Sequence, residues 1–318
     1  MRIAVVTPAH NAAGTIADTI RSVLEQSHGD LRLVVVDDGS SDDTAAIVAR
    51  FDDLRLTLIR QPNAGVSAAR NRGAEAADGD ALLFLDADDW LAPTALATLA
   101  SALQAAPDAV AAVGAYARVD APGAPPRRAR YRPASMPRDL LPGLLVSNAF
   151  ANGGHVLVRA SAARRAGLFR PGIAYGEDWE FFIRLALLGP FAFVPSREAV
   201  LFLRSCAEGA YRRLAADPAA FTPCMAAIFG NPDLRARFGP GRLHAIRRRA
   251  EAENAWIIGR ECIRHGGVPE GRRWLASSVL AAPSPRRIAL LAAACLLRTL
   301  PAAWRGPFRA YRDQASGK

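Results

Sequence analysis

Four short segments of this 318-residue chain gather the side chains best able to do chemistry. Val36-Asp37-Asp38-Gly39-Ser40 puts two carboxylates at the carboxyl end of an apolar run. One of them can cap the helix that follows, a task Ser40, Ser41 or Asp42 could also perform. The second acid then needs another purpose, and contact with a ligand at the sheet edge supplies one. Phe84-Leu85-Asp86-Ala87-Asp88-Asp89-Trp90 holds three acids that repel one another unless a cation or solvent separates them. In an extended segment Asp86 and Asp88 point to the same side, about 6.5–7 Å apart. That suits one carboxylate on a divalent ion and its neighbour on a ligand hydroxyl. A hard, oxygen-only set with few protein ligands favours Mg2+ or Mn2+ completed by ligand phosphates; the plain alternative is a solvated acidic turn.

The other two segments are weaker alone. In Asn63-Ala64-Gly65-Val66-Ser67-Ala68-Ala69-Arg70-Asn71-Arg72-Gly73 the small residues permit close approach to a ligand. Arg70 or Arg72 can then meet phosphate oxygens, unless both are ordinary surface arginines. Tyr175-Gly176-Glu177-Asp178-Trp179-Glu180 opens a helix that turns apolar at Phe181, Phe182 and Leu185. Acids there are stabilised by the helix dipole, and one standing at an active-site rim could equally serve as a general base.

The elements that must position these residues follow from hydrophobic patterning. Arg2–Thr7, Leu31–Val36, Leu54–Ile59 and Ala81–Leu85 are apolar runs of buried-strand length. Thr15–Gln26, Asp42–Phe51, Val66–Ala77 and Thr94–Gln104 have helical spacing. Such alternation predicts a mostly parallel sheet covered on both faces, with ligands beyond the carboxyl ends of its strands. Ala109–Ala117 and His155–Val158 read as further strands, and about 178–188 as a helix. The stretch Pro122–Pro137, with five Pro and four Arg, reads as an exposed loop. Beyond Arg204 the pattern is wholly helical, with helices expected near 244–265, 269–282 and 286–299. Two regions result, 1–203 and 204–318.

Charge separates the same regions. The formal net charge is +10, made of −8 in residues 1–115 and +18 in residues 116–318. An acidic front half repels phosphates and argues against a nucleic-acid partner, while it suits carboxylates gathered around a cation. Cys206, Cys224, Cys262 and Cys295 are scattered, which supports neither a zinc site nor a disulfide framework and points to a reducing compartment. The opening apolar run is too short for a signal peptide, and no stretch is long and apolar enough to span a bilayer. The chain is therefore expected in the cytoplasm. Ile288–Leu297, flanked by Arg286, Arg287 and Arg298 and followed by Trp304, Arg305, Arg309 and Arg312, could also lie peripherally on an anionic membrane.

Taken in order, the motifs resemble those of the inverting glycosyltransferases of family 2, which have a GT-A fold. Val6-Thr7-Pro8-Ala9-His10-Asn11 looks like the family's first strand and turn, and Val35 to Ser40 like its V-D-D-G-S segment. Asn63 to Gly73 resembles the N-x-G-x-x-x-A-R-N-x-G stretch, Leu85 to Asp89 the L-D-x-D-D motif, and Gly176 to Asp178 the acidic pair. The likeness covers about residues 1–200. It implies that Pro8, Ala9, His10 and Asn11 line the nucleotide base with Asn63 nearby, and that Asp38 accepts from uracil N3–H. It further implies that Asp86 faces the ribose, Arg70 neutralises the nucleotide, and Asp88 with Asp89 holds Mn2+ or Mg2+. Asp178 would be the base, with Glu177 supporting the acceptor side.

Two departures narrow the reading. His10 stands where the family usually has Tyr or Phe, and the Q-x-x-R-W motif of processive synthases is missing after the acidic pair. The resemblance thus implies metal-dependent transfer of a single sugar from a UDP- or dTDP-sugar to a carbohydrate or lipid-linked acceptor, in bacterial surface polysaccharide or glycolipid synthesis. A nucleotidyltransferase would need a Gly-rich, Arg-containing loop near the first strand, and a dehydrogenase G-x-G-x-x-G; neither is present. A nucleotidyltransferase and a non-catalytic protein, either nucleotide-sugar-binding or a basic scaffold, are the alternatives.

Overall fold

The computed structural model describes residues 1–120, 122–124, 128–130, 139–196, 198–204 and 217–296. The chain divides into two compact units, one of Met1–Leu141 with Ala149–Ser205, the other of Pro142–Asn148 with Cys206–Lys318.

The first unit is built on β1 (Ile3–Ala9), β2 (Leu31–Asp38), β3 (Leu56–Gln61), β4 (Ala81–Phe84), β6 (Ala111–Val113), β9 (Val156–Arg159) and β10 (Phe191–Phe193). They form one sheet in the order β10-β6-β9-β4-β1-β2-β3. The strands β4, β1, β2 and β3 run parallel, whereas β9 is antiparallel to both β4 and β6. Near-continuous Val, Ile and Leu in β1 and β2 leave these strands buried on both faces. The helices α1 (Ile16–Leu24), α2 (Thr44–Val48), α3 (Val66–Ala76) and α4 (Ala95–Ala105) alternate with the strands as the pattern predicts. Ile16, Ile20 and Val23 of α1 and Leu96, Leu99 and Leu103 of α4 pack with alternate β1 and β2 residues into one core.

A second, four-stranded sheet is not foreseen by the sequence pattern. It orders β5 (Trp90–Leu91), β11 (Ala199–Arg204), β7 (Ala115–Val119) and β8 (Arg128–Arg130). The single strand expected over Ala109–Ala117 is divided at Gly114, with β6 in the first sheet and β7 in the second. Between β9 and β10 lie α6 (Ala160–Ala166) and α7 (Glu177–Leu188), and α5 (Leu141–Leu144) precedes them. Most of the Pro122–Pro137 stretch lies outside the described residues.

The second unit is helical. A 3-10 turn at Pro218–Phe221 leads into α8 (Thr222–Phe229), α9 (Pro232–Phe238), α10 (Pro240–Arg264), α11 (Val268–Ala281) and α12 (Pro285–Leu296). Trp256, Leu275 and Ala294 form a small core joining α10, α11 and α12. Among the described residues no helix is long and apolar enough to cross a membrane. Leu297 and Arg298, with the basic residues beyond them, lie outside the described residues.

Candidate active site

The carboxyl ends of β1, β2 and β4, the amino end of α3 and the first turn of α7 carry the acidic and polar residues singled out above. Asp38 ends β2 and is buried. Its Oδ1 accepts from Gln61 Nε2 and from the Ala64 amide, both at 2.8 Å, and its Oδ2 accepts from the Gly65 amide at 2.9 Å. One carboxylate thus fastens the loop that starts α3. A carboxylate offers about four acceptor positions, and protein donors occupy three of those on Asp38. Asp37 does not cap α2: it closes the preceding turn by accepting from the Ser40 amide at 3.0 Å, while Asp42 Oδ1 accepts from the Thr44 amide at 3.0 Å.

The β1 turn interlocks with that loop. His10 is exposed and donates from Nδ1 to the Asp38 carbonyl oxygen at 2.9 Å, with Asn63 Nδ2 3.3 Å from the same nitrogen. Asn11 adopts a left-handed backbone, φ 52°, and its Oδ1 accepts from the Ser41 amide at 2.9 Å. Pro8 and Ala9, expected beside a base, are buried inside β1 and paired with Val36 and Asp37, so His10, Asn11 and Asn63 are the members of that set on the surface. Gly39 has φ 72°, and a Cβ there would fall 2.7 Å from the Asn63 nitrogen, so the close approach of the two loops needs glycine.

The acids after β4 do not form the extended segment expected. Asp86–Asp89 is a turn closed by the Asp89 amide donating to the Asp86 carbonyl at 3.2 Å. The hydroxyls of Thr15 and Thr19 on the α1 side take the Ala87 carbonyl at 2.8 and 3.0 Å, and Thr19 also reaches the Asp89 carbonyl at 2.7 Å. These long-range bonds hold the segment as a turn, and Asn152 Nδ2 bridges Asp86 Oδ2 and Asp89 Oδ2. Asp89, expected as a second metal ligand, is buried and spent on protein donors, Asn152 Nδ2 at 2.7 Å and the Arg204 amide at 3.0 Å. Burial, then Asp88 and Asp86, push its carboxyl well above the usual range. Asp88 stays partly exposed. Asp86 accepts from Arg70 Nη2 at 2.7 Å and from Asn152 Nδ2 at 3.1 Å.

Arg70, expected on the nucleotide, is held by two carboxylates of the protein. It is buried, donating to Asp86 with one terminal nitrogen and to Glu177 Oε1 with the other at 2.8 Å. Burial opposes its charge, yet Asp86 and Glu177 override that and hold the guanidinium above its ordinary range. Arg72, two residues on, is exposed and lines a shallow pocket of about 510 Å3 with Gln61, Asn63, Ala64 and Asn71.

At the head of α7, Asp178 Oδ1 accepts from the Trp179 amide at 2.6 Å. Burial and the neighbouring Glu177 push the Asp178 carboxyl up to about 7, against the pull of Arg70 and the Trp179 amide. A carboxyl poised there can take a proton at physiological pH. The contacts through Arg70 bring the Asp86 turn and the Glu177–Asp178 turn together, and Asp38 holds the start of the same helix α3. Asn152 and Arg204 escape notice in the sequence. Arg204 also donates to the Asp88 carbonyl at 3.1 Å and pairs with Asp18 at 2.9 Å.

The donor set includes the partly exposed carboxylate of Asp88, a hard oxygen ligand beside Asp86, which fits a divalent ion that keeps most of its coordination for water and phosphate. Among the described residues no group of three or more His, Cys, Asp or Glu is arranged to hold a metal without such help.

Residues 4–170 match the family model "Glycosyl transferase family 2". The chain belongs to that family. Within glycosyl transferase family 2, a similar protein is UDP-Glc:alpha-D-GlcNAc-diphosphoundecaprenol beta-1,3-glucosyltransferase WfgD of Escherichia coli. It is 40% identical over 92 residues, covering 28% of this chain and 36% of that protein. The chain spans about a third of the length of several such curated relatives. Two solved structures share the fold. Staphylococcus aureus TarS has a TM-score of 0.64 at 19% identity, over 92% of this chain and 52% of that one. A mannosyltransferase from Pyrobaculum calidifontis, in complex with GDP-Man and Mn2+, has 0.58 at 23% identity, over 99% and 84%. The fold is GT-A, with a helical C-terminal region.

Proposed function

We propose that this chain transfers a single sugar from a nucleoside diphosphate sugar, with UDP or dTDP favoured, to an acceptor hydroxyl with inversion. One observation carries the reading: Arg70 bonds both the Asp86 turn and Glu177, next to a carboxyl, Asp178, poised near pH 7.

The chemistry follows from these residues. Asp178 accepts the proton of the acceptor hydroxyl as its oxygen attacks the anomeric carbon. The bond from that carbon to the diphosphate oxygen breaks on the opposite face, so one displacement inverts the centre and the nucleoside diphosphate leaves with the electron pair. Asp88 would hold Mn2+ or Mg2+, whose charge offsets that developing on the leaving diphosphate. Asp86 faces the ribose, and the acceptor position left on Asp38 takes a base N–H. The name of the Escherichia coli relative, which specifies a UDP-Glc donor and a diphosphoundecaprenol acceptor, supports a uridine donor and an acceptor of carbohydrate or lipid-linked type.

A thermal-shift panel of UDP-, dTDP- and GDP-sugars with Mn2+ tests the donor assignment. A uridine or thymidine donor should raise the melting temperature, and Asp88→Ala should remove the Mn2+-dependent part of that shift. A shift confined to GDP-sugars would overturn the base assignment, and an undiminished shift in Asp88→Ala would overturn the metal assignment.

A further inference from the structure

We propose that Arg70 is a positioning residue that ties the carboxylate on the donor side, Asp86, to the acidic pair on the acceptor side, Glu177 and Asp178. What each side binds rests on the functional reading above; the link itself rests on contacts. The Arg70 side chain is only 4% exposed, and its two terminal nitrogens lie 2.7 Å from Asp86 Oδ1 and 2.8 Å from Glu177 Oε1. Its guanidinium lies over the Phe169 ring, 5.0 Å from the centroid. The next residue, Asn71, fixes that ring's backbone: Nδ2 donates to the Phe169 carbonyl at 2.8 Å, and Oδ1 accepts the Phe169 amide at 2.9 Å. Two consecutive residues of α3 therefore supply both the cation and the platform beneath it.

A guanidinium suits this role because its nitrogens diverge in one rigid plane, so both carboxylates are held at once. A lysine ammonium in its place would reach one of them at a time. Orienting both carboxylates in the free protein removes an ordering cost from ligand binding. Charge follows the same wiring. The charged groups acting on Asp178 include Glu177 from its own helix, Arg70 from α3 and Asp86 from the turn after β4. Glu177 and Asp86 favour its protonated form, and Arg70 opposes them.

The test needs no donor, so its failure is separable from failure of the glycosyl-transfer reading. Full-length protein labelled with 13C at aspartate carboxyl carbons is titrated by NMR, with the Asp178 and Asp86 signals assigned through Asp178→Asn and Asp86→Asn. Arg70→Gln should move the Asp178 midpoint up by about one pH unit or more, and Glu177→Gln should move it down. Glu177→Gln should also shift the Asp86 resonance in the native background and leave it unmoved in an Arg70→Lys background, where the shared bridge is gone. If Arg70→Gln does not fold, the comparison of Glu177→Gln in the native and Arg70→Lys backgrounds decides. An Asp178 midpoint indifferent to Arg70, or an Asp86 signal equally sensitive to Glu177 in both backgrounds, would overturn the proposal.

Discussion

Asp178 carries two opposed demands. In the folded chain its carboxyl holds a proton up to about pH 7 because it is partly desolvated and lies beside Glu177, whereas an unfolded aspartate releases it near 4. Between those values the folded state binds more protons, so stability falls as pH rises through that window and the penalty is complete above it. Asp178→Asn should therefore be more stable than the native chain by about 1–3 kcal/mol at pH 8. The two should converge below pH 4, as read by chemical denaturation. The same substitution should cut transfer by about 10²–10⁴ while donor binding persists. In the native protein kcat/KM should climb about tenfold per pH unit below 7 and level off above it. A flat profile from pH 5 to 8 would remove Asp178 as the base.

At the scale of elements, helix α3 is the part the site depends on most. Gly73 lets it lie against the sheet: a Cβ there would fall 2.3 Å from Val6 Cγ1 and 3.2 Å from Val36 Cγ2. Gly73→Ala should thus push α3 outward, costing about 1–3 kcal/mol and displacing Arg70 from its carboxylates. A melting temperature and activity equal to native would contradict this. The alternation of apolar runs with helical spacing makes β1 to β4 and α1 to α4 legible in the sequence, and the acids fall after strands for the same reason. What is not legible depends on distant partners. Asn152 and Arg204 reach Asp89 from 63 and 115 residues away, and no local pattern marks them. The Asp86–Asp89 turn is set by Thr15 and Thr19, which read in sequence as ordinary helix residues. Arg70 looks like a surface arginine until the two carboxylates that bury it are placed.

The whole molecule separates charge, −8 over residues 1–115 and +18 over the rest. In the second unit α12 exposes Ile288 and Leu296, at 52% and 56%, and Leu280 of α11 is 81% exposed. Arg286, Arg273, Arg248 and Arg249 of this unit are also exposed. Apolar side chains and arginines are what an anionic bilayer surface attracts. Full-length protein should co-sediment with phosphatidylglycerol-containing vesicles and less so with neutral ones. Ile288→Glu with Leu296→Glu should leave most of it in the supernatant. Equal recovery in the supernatant with anionic and neutral vesicles would end this reading.

If acids from three separate stretches act together on one nucleotide sugar, turnover depends on each of them. Nucleoside diphosphate release should be followed from the donor that stabilises the protein most, with Mn2+, for the native chain, Asp88→Ala and Asp178→Asn. Release should be slow in the native protein, accelerated when an acceptor is supplied and lost in both variants, with Asp178→Asn still binding donor. Release that persists undiminished in Asp178→Asn and Asp88→Ala would contradict their joint action.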